Sequence, residues 1–192
     1  VEAVYEQIAT SITIGQYGTT VYSSQYALDF SDVEGLKAYA ATAYNTLSGE
    51  ITMTRIMTSK AGVGIYLKGN PGTTYIVPII DYSYDHSLNM LVGVLKKQIV
   101  NSVSGDGLCA NYKYTILPGD ATPKFYQYSD GSSVSAGKAY LQIPTAWLPA
   151  TAQKSLNIRF DDGETTDIDE AKEQKAESKD VYYDLSGRVV EN

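Results

Sequence analysis

The sequence predicts an all-β protein: a β-sandwich of about 10–13 short strands, with two related halves in view, then a charged linker and a terminal strand. Three observations carry this. Short runs rich in Thr, Tyr, Val and Ile recur at regular spacing, and several alternate apolar with polar residues. Clusters of Gly, Asp, Ser and Asn separate them. Tyr makes up 17 of the 192 residues, and its ring suits half-buried sheet faces.

The elements follow in order. Ser11–Gly15 alternates, which puts Ile12 and Ile14 on one face. Thr20–Tyr22, Tyr26–Phe30 and Leu36–Thr42 come next. Glu50–Ile56 alternates again, with Thr52 and Thr54 outward. Gly64–Lys68 and Thr73–Pro78 flank Gly69-Asn70-Pro71-Gly72, a turn because Pro fixes one φ and Gly supplies the other. Leu91–Leu95, Asn111–Leu117, Lys124–Tyr128, Lys138–Ile143 and Leu156–Phe160 complete the strands. Ser104–Gly107 and Ser129–Ser132 read as hairpin loops. Tyr112 and Tyr114 share a face, as do Tyr126 and Tyr128.

Helix support is poor. Asp32–Ala43 contains Ala and Leu, but Gly35 interrupts it and a strand fits as well. Asp167–Lys179 has helix formers, yet Asp169/Glu173, Glu173/Glu177 and Lys175/Lys179 are like-charged i,i+4 pairs. A weak internal echo links Lys60–Leu67 with Ser135–Gln142. Both read as an Ala-Gly turn leading into an apolar strand, as two related halves would, although any Gly turn before a strand looks similar.

Charge divides the chain into a body (1–160), an acidic linker (161–179) and a terminal strand (180–192). The body balances 11 acidic against 11 basic residues, whereas residues 161–180 hold nine acidic and three basic ones. That acidic stretch reads as a solvated linker. The net charge of −7 argues against nucleic acid, which needs a basic patch. No apolar run approaches the roughly 18 residues that span a bilayer. Val1 is not an initiator Met, so the chain reads as mature or trimmed.

The candidate chemistry is thin. One His and one Cys exclude the usual zinc cluster, and neither metal nor cofactor is expected. Cys109 reads as a small hydrophobe rather than a nucleophile. Asp81–Ser87 is the richest polar cluster. Its Tyr82, Tyr84, Asp85 and His86, together with Trp147, are candidate ligand contacts for a glycan or cation, set against an ordinary Tyr-rich turn. A catalytic triad draws its members from separate elements, so His86 reads as a loop side chain. The carboxylates from Asp161 to Glu170 miss the EF-hand spacing, and Gly131–Lys138 misses the phosphate-loop pattern.

Ser11–Gly15, Tyr17–Thr20, Tyr26–Ser31 and Gly35–Tyr39 together resemble a domain of secreted and surface proteins of Bacteroidales. The likeness continues through Ala61–Gly64, Asn89–Gly93 and Ala136–Leu141, and it covers roughly residues 10–160. No catalytic residue is implied by it. Val181-Tyr182-Tyr183-Asp184-Leu185-Ser186-Gly187-Arg188-Val189-Val190 resembles the opening of a C-terminal sorting segment of the type IX secretion kind. Such a segment continues with a Gly-Leu-Tyr strand and a basic end. Stopping at Asn192 is what a cut or processed tail would give.

The expectation is a non-enzymatic, extracellular cell-surface module for adhesion, display or spacing, whose partners are other surface-protein domains, copies of itself or glycans. Two alternatives stand beside it. One is a filament subunit assembled by strand donation, with Val181, Tyr182, Tyr183, Leu185 and Val189 docking on a sheet edge. The other is a carbohydrate-binding module using surface Tyr and Trp147.

Overall fold

A computed structural model describes residues 8–81, 88–149 and 155–162, and the backbone of 182–183 and 189–190. Strand β1 (Ala9–Thr13) opens the described chain. A first set follows: β2 (Thr19–Ser23), β3 (Ala27–Asp29), β4 (Lys37–Asn45), β5 (Glu50–Ile56), β6 (Thr58–Ser59) and β7 (Gly64–Lys68), then β8 (Thr74–Ile80). A second set follows: β9 (Leu91–Val94), β10 (Gln98–Val100), β11 (Cys109–Thr115), β12 (Lys124–Gln127), β13 (Ser132–Val134) and β14 (Lys138–Pro144). A single 3-10 turn (Thr145–Trp147), β15 (Ser155–Asp161), β16 (Tyr182–Tyr183) and β17 (Val189–Val190) end it. The protein is all-β.

The two sets repeat one topology. In the first, β2 pairs with β7, β7 with β4, and β4 with β5, while β3 pairs with β6, all antiparallel. In the second, β9 pairs with β14, β14 with β11, and β11 with β12, while β10 pairs with β13, again all antiparallel. The echo around Ala61-Gly62 and Ala136-Gly137 marks equivalent places. Gly62 and Gly137 both take positive φ, 79° and 78°, and each leads into an equivalent strand, β7 or β14.

Strand β15 joins the halves. It runs parallel to β5 and antiparallel to β12, giving a nine-stranded sheet in the order β2-β7-β4-β5-β15-β12-β11-β14-β9. This sheet curls into a nearly closed barrel. Val63 bridges Val92 across the gap, and the buried Ser23 fills it. The Ser23 hydroxyl lies 2.9 Å from the Lys138 carbonyl and 3.1 Å from the Val94 carbonyl, and accepts from the Val94 N–H at 3.1 Å. Its backbone N–H donates to the Gly137 carbonyl at 3.1 Å. Ser23→Ala should cost about 1–3 kcal/mol by chemical denaturation, because the Val94 N–H is left buried without a partner. A loss below about 0.5 kcal/mol would show that this hydroxyl does not hold the seam.

Alternation along the central strands feeds three cores. Tyr39 and Ala41 of β4, Tyr66 of β7, Tyr112 of β11 and Leu141 of β14 fill the barrel interior with Ile51, Met53, Phe125 and Leu156. On the outer face of the first half, Ala38, Ala40, Ile56, Ile65 and Leu67 meet the small sheet β1-β8-β3-β6 through Ile12, Leu28, Tyr75 and Val77. Ile12 and Ile14 share the buried face, as their spacing predicts. On the second half, Val94, Tyr128 and Tyr140 meet Val100 of β10 and Val134 of β13, with Val92 packed beside them. Among the described residues its cover is therefore smaller. Strand β4 changes register between Ala41 and Ala43, where the Ala41 N–H leaves the ladder for Asn89 Oδ1 at 3.0 Å.

One of the two expected hairpin loops is observed, and two sequence expectations change. Ser104–Gly107 does close a hairpin, with Ser104 N–H on the Cys109 carbonyl at 2.8 Å. Ser129–Ser132 does not, because β12 and β13 belong to different sheets. The terminal segment is more than a single strand: Tyr182–Tyr183 pairs antiparallel with Val189–Val190 in a small ribbon, while Val181 and Leu185 lie outside the described residues.

Candidate binding cleft

One open end of the barrel forms an aromatic cleft of about 280 Å³, more enclosed than the groove of about 590 Å³ beside it or the concavity of about 290 Å³ around Ser23–Tyr26. Both halves and the joining strand build it. Tyr17, Thr19, Tyr66 and Lys68 come from the first half, Tyr114, Thr122, Pro123 and Lys124 from the second, and Asn157, Ile158 and Phe160 from β15. The mouth of a β-barrel is a common place for a small-molecule site, since side chains from facing strands converge there.

The inward-facing aromatic residues of the strands owe their place to strand parity. Tyr66 points inward because its neighbours Ile65 and Leu67 face the outer core. Tyr112 and Tyr114 share the inward face of β11. Phe160 sits on β15, its ring centroid 4.9 Å from Tyr39 and 5.6 Å from Tyr66. Tyr66 and Tyr114 pack edge to face at 5.2 Å. Their hydroxyls lie 2.9 Å apart, and Tyr114 reaches Thr19 Oγ1 at 2.7 Å. Lys68 Nζ sits 4.9 Å from the Phe160 ring centroid, a cation–π contact at the rim.

The phenols of Tyr66 and Tyr114 stay neutral. Burial pushes the Tyr66 hydroxyl far above the ordinary tyrosine range, with the neighbouring Tyr114 adding to the shift. Burial raises Tyr114 too, although bonds from Thr19 and Tyr66 oppose it. Such hydroxyls donate and accept hydrogen bonds but do not act as bases near neutral pH. The cleft offers aromatic edges, a hydroxyl chain, the Asn157 amide and two amines at the rim. Tyr114→Phe breaks the chain at its centre and should cost about 1–2 kcal/mol in thermal or denaturant unfolding. An unchanged midpoint would mean that the hydroxyl chain contributes nothing to the fold.

A second, more open groove of about 590 Å³ shares Lys68 and lies between the Ser31–Lys37 loop and Gly69-Asn70. Its polar lining mixes Asp32 and Glu34 with Lys37 and Arg55. Lys37 also meets Asp162 at 3.8 Å. The Tyr75 hydroxyl pins the two rims together, accepting from the Asn70 N–H at 2.8 Å and donating to the Gly35 carbonyl at 3.1 Å.

Tyr82, Tyr84, Asp85 and His86 lie outside the described residues. Trp147 is 48% exposed on the 3-10 turn and lines neither cleft. Cys109 is half-buried, and burial, with Asp106 adding to it, raises its thiol pKa, the opposite of an activated nucleophile. Gly131–Lys138 contains β13 and runs into β14 with no helix, so no helix N-terminus faces a phosphate there. Among the described residues no group of three or more His, Cys, Asp or Glu is placed to hold a metal ion. No helix among them is long and apolar enough to cross a membrane. Sequence spacing could not reveal the cleft tyrosines, because Tyr66 and Tyr114 are 48 residues apart and meet only when the sheet curls. No family model, curated protein or solved structure matches the chain.

Proposed function

We propose that the protein is a non-enzymatic, extracellular surface module whose work is adhesion, display or spacing. The observation that carries this reading is the union of two like halves by β15 into one continuous nine-stranded sheet. A shared sheet and a shared interior core couple the halves, so the body resists bending or separating under load in a way that two linked domains do not. A spacer or display platform needs that property. The segment after β15, rich in carboxylates, suits a solvated connection to a neighbouring domain.

The test is made at a surface. Placed between a membrane anchor and a fluorescent reporter, the chain should keep the reporter accessible to an antibody and survive protease applied to intact cells. The isolated protein should melt in one transition seen equally in either half. Two separate transitions, or turnover of peptide, ester, glycoside or phosphate reporter substrates, would overturn the proposal.

The barrel mouth favours a second reading, glycan binding, because Tyr17, Tyr66, Tyr114 and Phe160 converge there with hydroxyl and amine groups. On a glycan array the wild type should then bind a restricted set of sugars. Tyr17→Ala should lose that binding with little change in stability, since Tyr17 is 47% exposed. An empty array would remove this reading.

A further inference from the structure

The two halves differ in one respect that their common topology makes visible. In the first half, β3 is paired on both edges: β6 on one side and β8 on the other. Strand β8 in turn pairs with β1, so a two-stranded antiparallel ribbon covers that edge. In the second half, the equivalent strand β10 pairs with β13, and among the described residues no strand lies on its other edge. The run Leu95–Ile99 is exposed throughout, with Ile99 63% and Leu95 46% accessible. An uncovered strand edge offers unpaired backbone groups to any extended segment.

The chain carries one further antiparallel ribbon, β16–β17. We propose that this ribbon docks on β10 of its own body, completing the second half as β1–β8 completes the first. Chain order agrees. Strand β8 follows β7 directly, and β16 follows β14, the equivalent of β7, with β15 the only strand between them among the described residues. Charge agrees as well. Lys96 and Lys97 stand exposed beside β10, and the segment leading to the ribbon carries nine acidic and three basic residues over 161–180. The ribbon's Tyr182, Tyr183, Val189 and Val190 are of the aromatic and β-branched types that pair well across strands. Reach is sufficient: nineteen residues separate Asp162 from Tyr182, and extended they span at most about 65 Å. A joined segment meets its acceptor at an effective concentration on the order of millimolar, which favours the chain's own ribbon over a neighbour's at micromolar protein.

Hydrogen exchange of the 95–100 region tests this. In the full chain at micromolar concentration, these amides should exchange about tenfold or more slowly than in a variant ending at Asp180. That protection should not change on dilution. The double variant Lys96→Glu/Lys97→Glu, which alters only exposed side chains, should weaken the protection in the full chain, and added salt should weaken it in the wild type. Equal exchange in the full and shortened chains would overturn the proposal. So would protection that grows with concentration alongside a rise in molecular mass, because the ribbon would then be shared between copies, as in a filament.

Discussion

Raising the pH from 9 to 12 should unfold the body more sharply than the growing net negative charge of a chain with 22 acidic and 15 basic residues would do alone. The cause is its buried tyrosines. Tyr112 and Tyr128 are both pushed up to about 12 by burial, with Tyr44 and Tyr140 respectively adding to the shift. Tyr66 stands higher still, and burial raises Tyr114 and Tyr140 as well. The unfolded chain releases these protons near pH 10. Between that value and the folded pKa, the native state holds protons that the unfolded state has lost, so stability falls as pH rises. Below pH 10 the contribution is complete. Tyr112 is fully buried and Tyr128 nearly so, and each should cost on the order of 2 kcal/mol by pH 12. With Tyr66 the sum reaches roughly 6 kcal/mol, a large share of the 5–15 kcal/mol typical of a domain.

Tyrosinate absorbance and far-ultraviolet circular dichroism, followed together through a base titration, check this. The buried group of tyrosines should ionise only as the β signal collapses. Tyr112→Phe should move the collapse to higher pH. Its hydroxyl is buried with no hydrogen-bond partner among the described residues, so its removal should be neutral or mildly stabilising at pH 7. If all the tyrosines titrate near pH 10 while the sheet signal persists, the barrel interior is wet and this account of the core is wrong.

How far the sequence foretells the structure can be judged strand by strand. Glu50–Ile56 and Gly64–Lys68 are observed as read, the first because its alternation survives and the second, though buried on both faces, because turns at Ala61-Gly62 and Gly69–Gly72 bracket it. Asp32–Ala43, ambiguous on propensity, divides into a turn over 32–36 and the start of β4. That strand is buried on both faces from Ala38 to Ala41, which erases the alternation that would have marked it. The strands not foreseen, β6, β10 and β13, are two or three residues long, too short for any periodicity. Their existence depends on pairing with distant partners.

The duplication was legible only at its turns. Gly62 and Gly137 need a positive φ, so their identity persists, whereas the strands that follow diverge with their surroundings. Tyr66 and Leu141 occupy equivalent inward places in one core and remain apolar. Leu67 is buried beneath the four-stranded cover, but its equivalent Gln142, under the smaller cover of the second half, turns polar and bonds to Asn111 at 3.0 Å. The cleft was the least legible part. Tyrosines at alternate positions show which face they share, but not that β7 and β11 face each other across a barrel. Nothing local encodes that closure.

The closure itself gives the sharpest substitution. Gly93 lies in β9 and pairs with Ala139 on one side, while on the other the Gly62 turn passes over it. A Cβ added at Gly93 would overlap the Gly62 carbonyl oxygen and lie 2.8 Å from Ser23 Cβ and 3.0 Å from the Gly62 carbonyl carbon. The backbone of Gly93 is not in the left-handed region, so an alanine has no conformational penalty there. The cost is contact alone, and two of the three contacts are backbone that cannot rotate away. To fit the methyl group, β9 must part from the first half, loosening both the Val63–Val92 bridge and the Ser23 bonds. Gly93→Ala should therefore destabilise by about 3 kcal/mol or more. In a chain of this size that lowers the melting temperature by roughly 6–12 °C. Gly105→Ala is the control. Nothing lies within 4 Å of the place its methyl group would take, and its φ is not positive, so it should stay within about 0.5 kcal/mol of the wild type. If Gly93→Ala melts with that control, the two ends of the nine-stranded sheet do not meet, and the barrel, its aromatic mouth and the shared core between the halves lose their basis together.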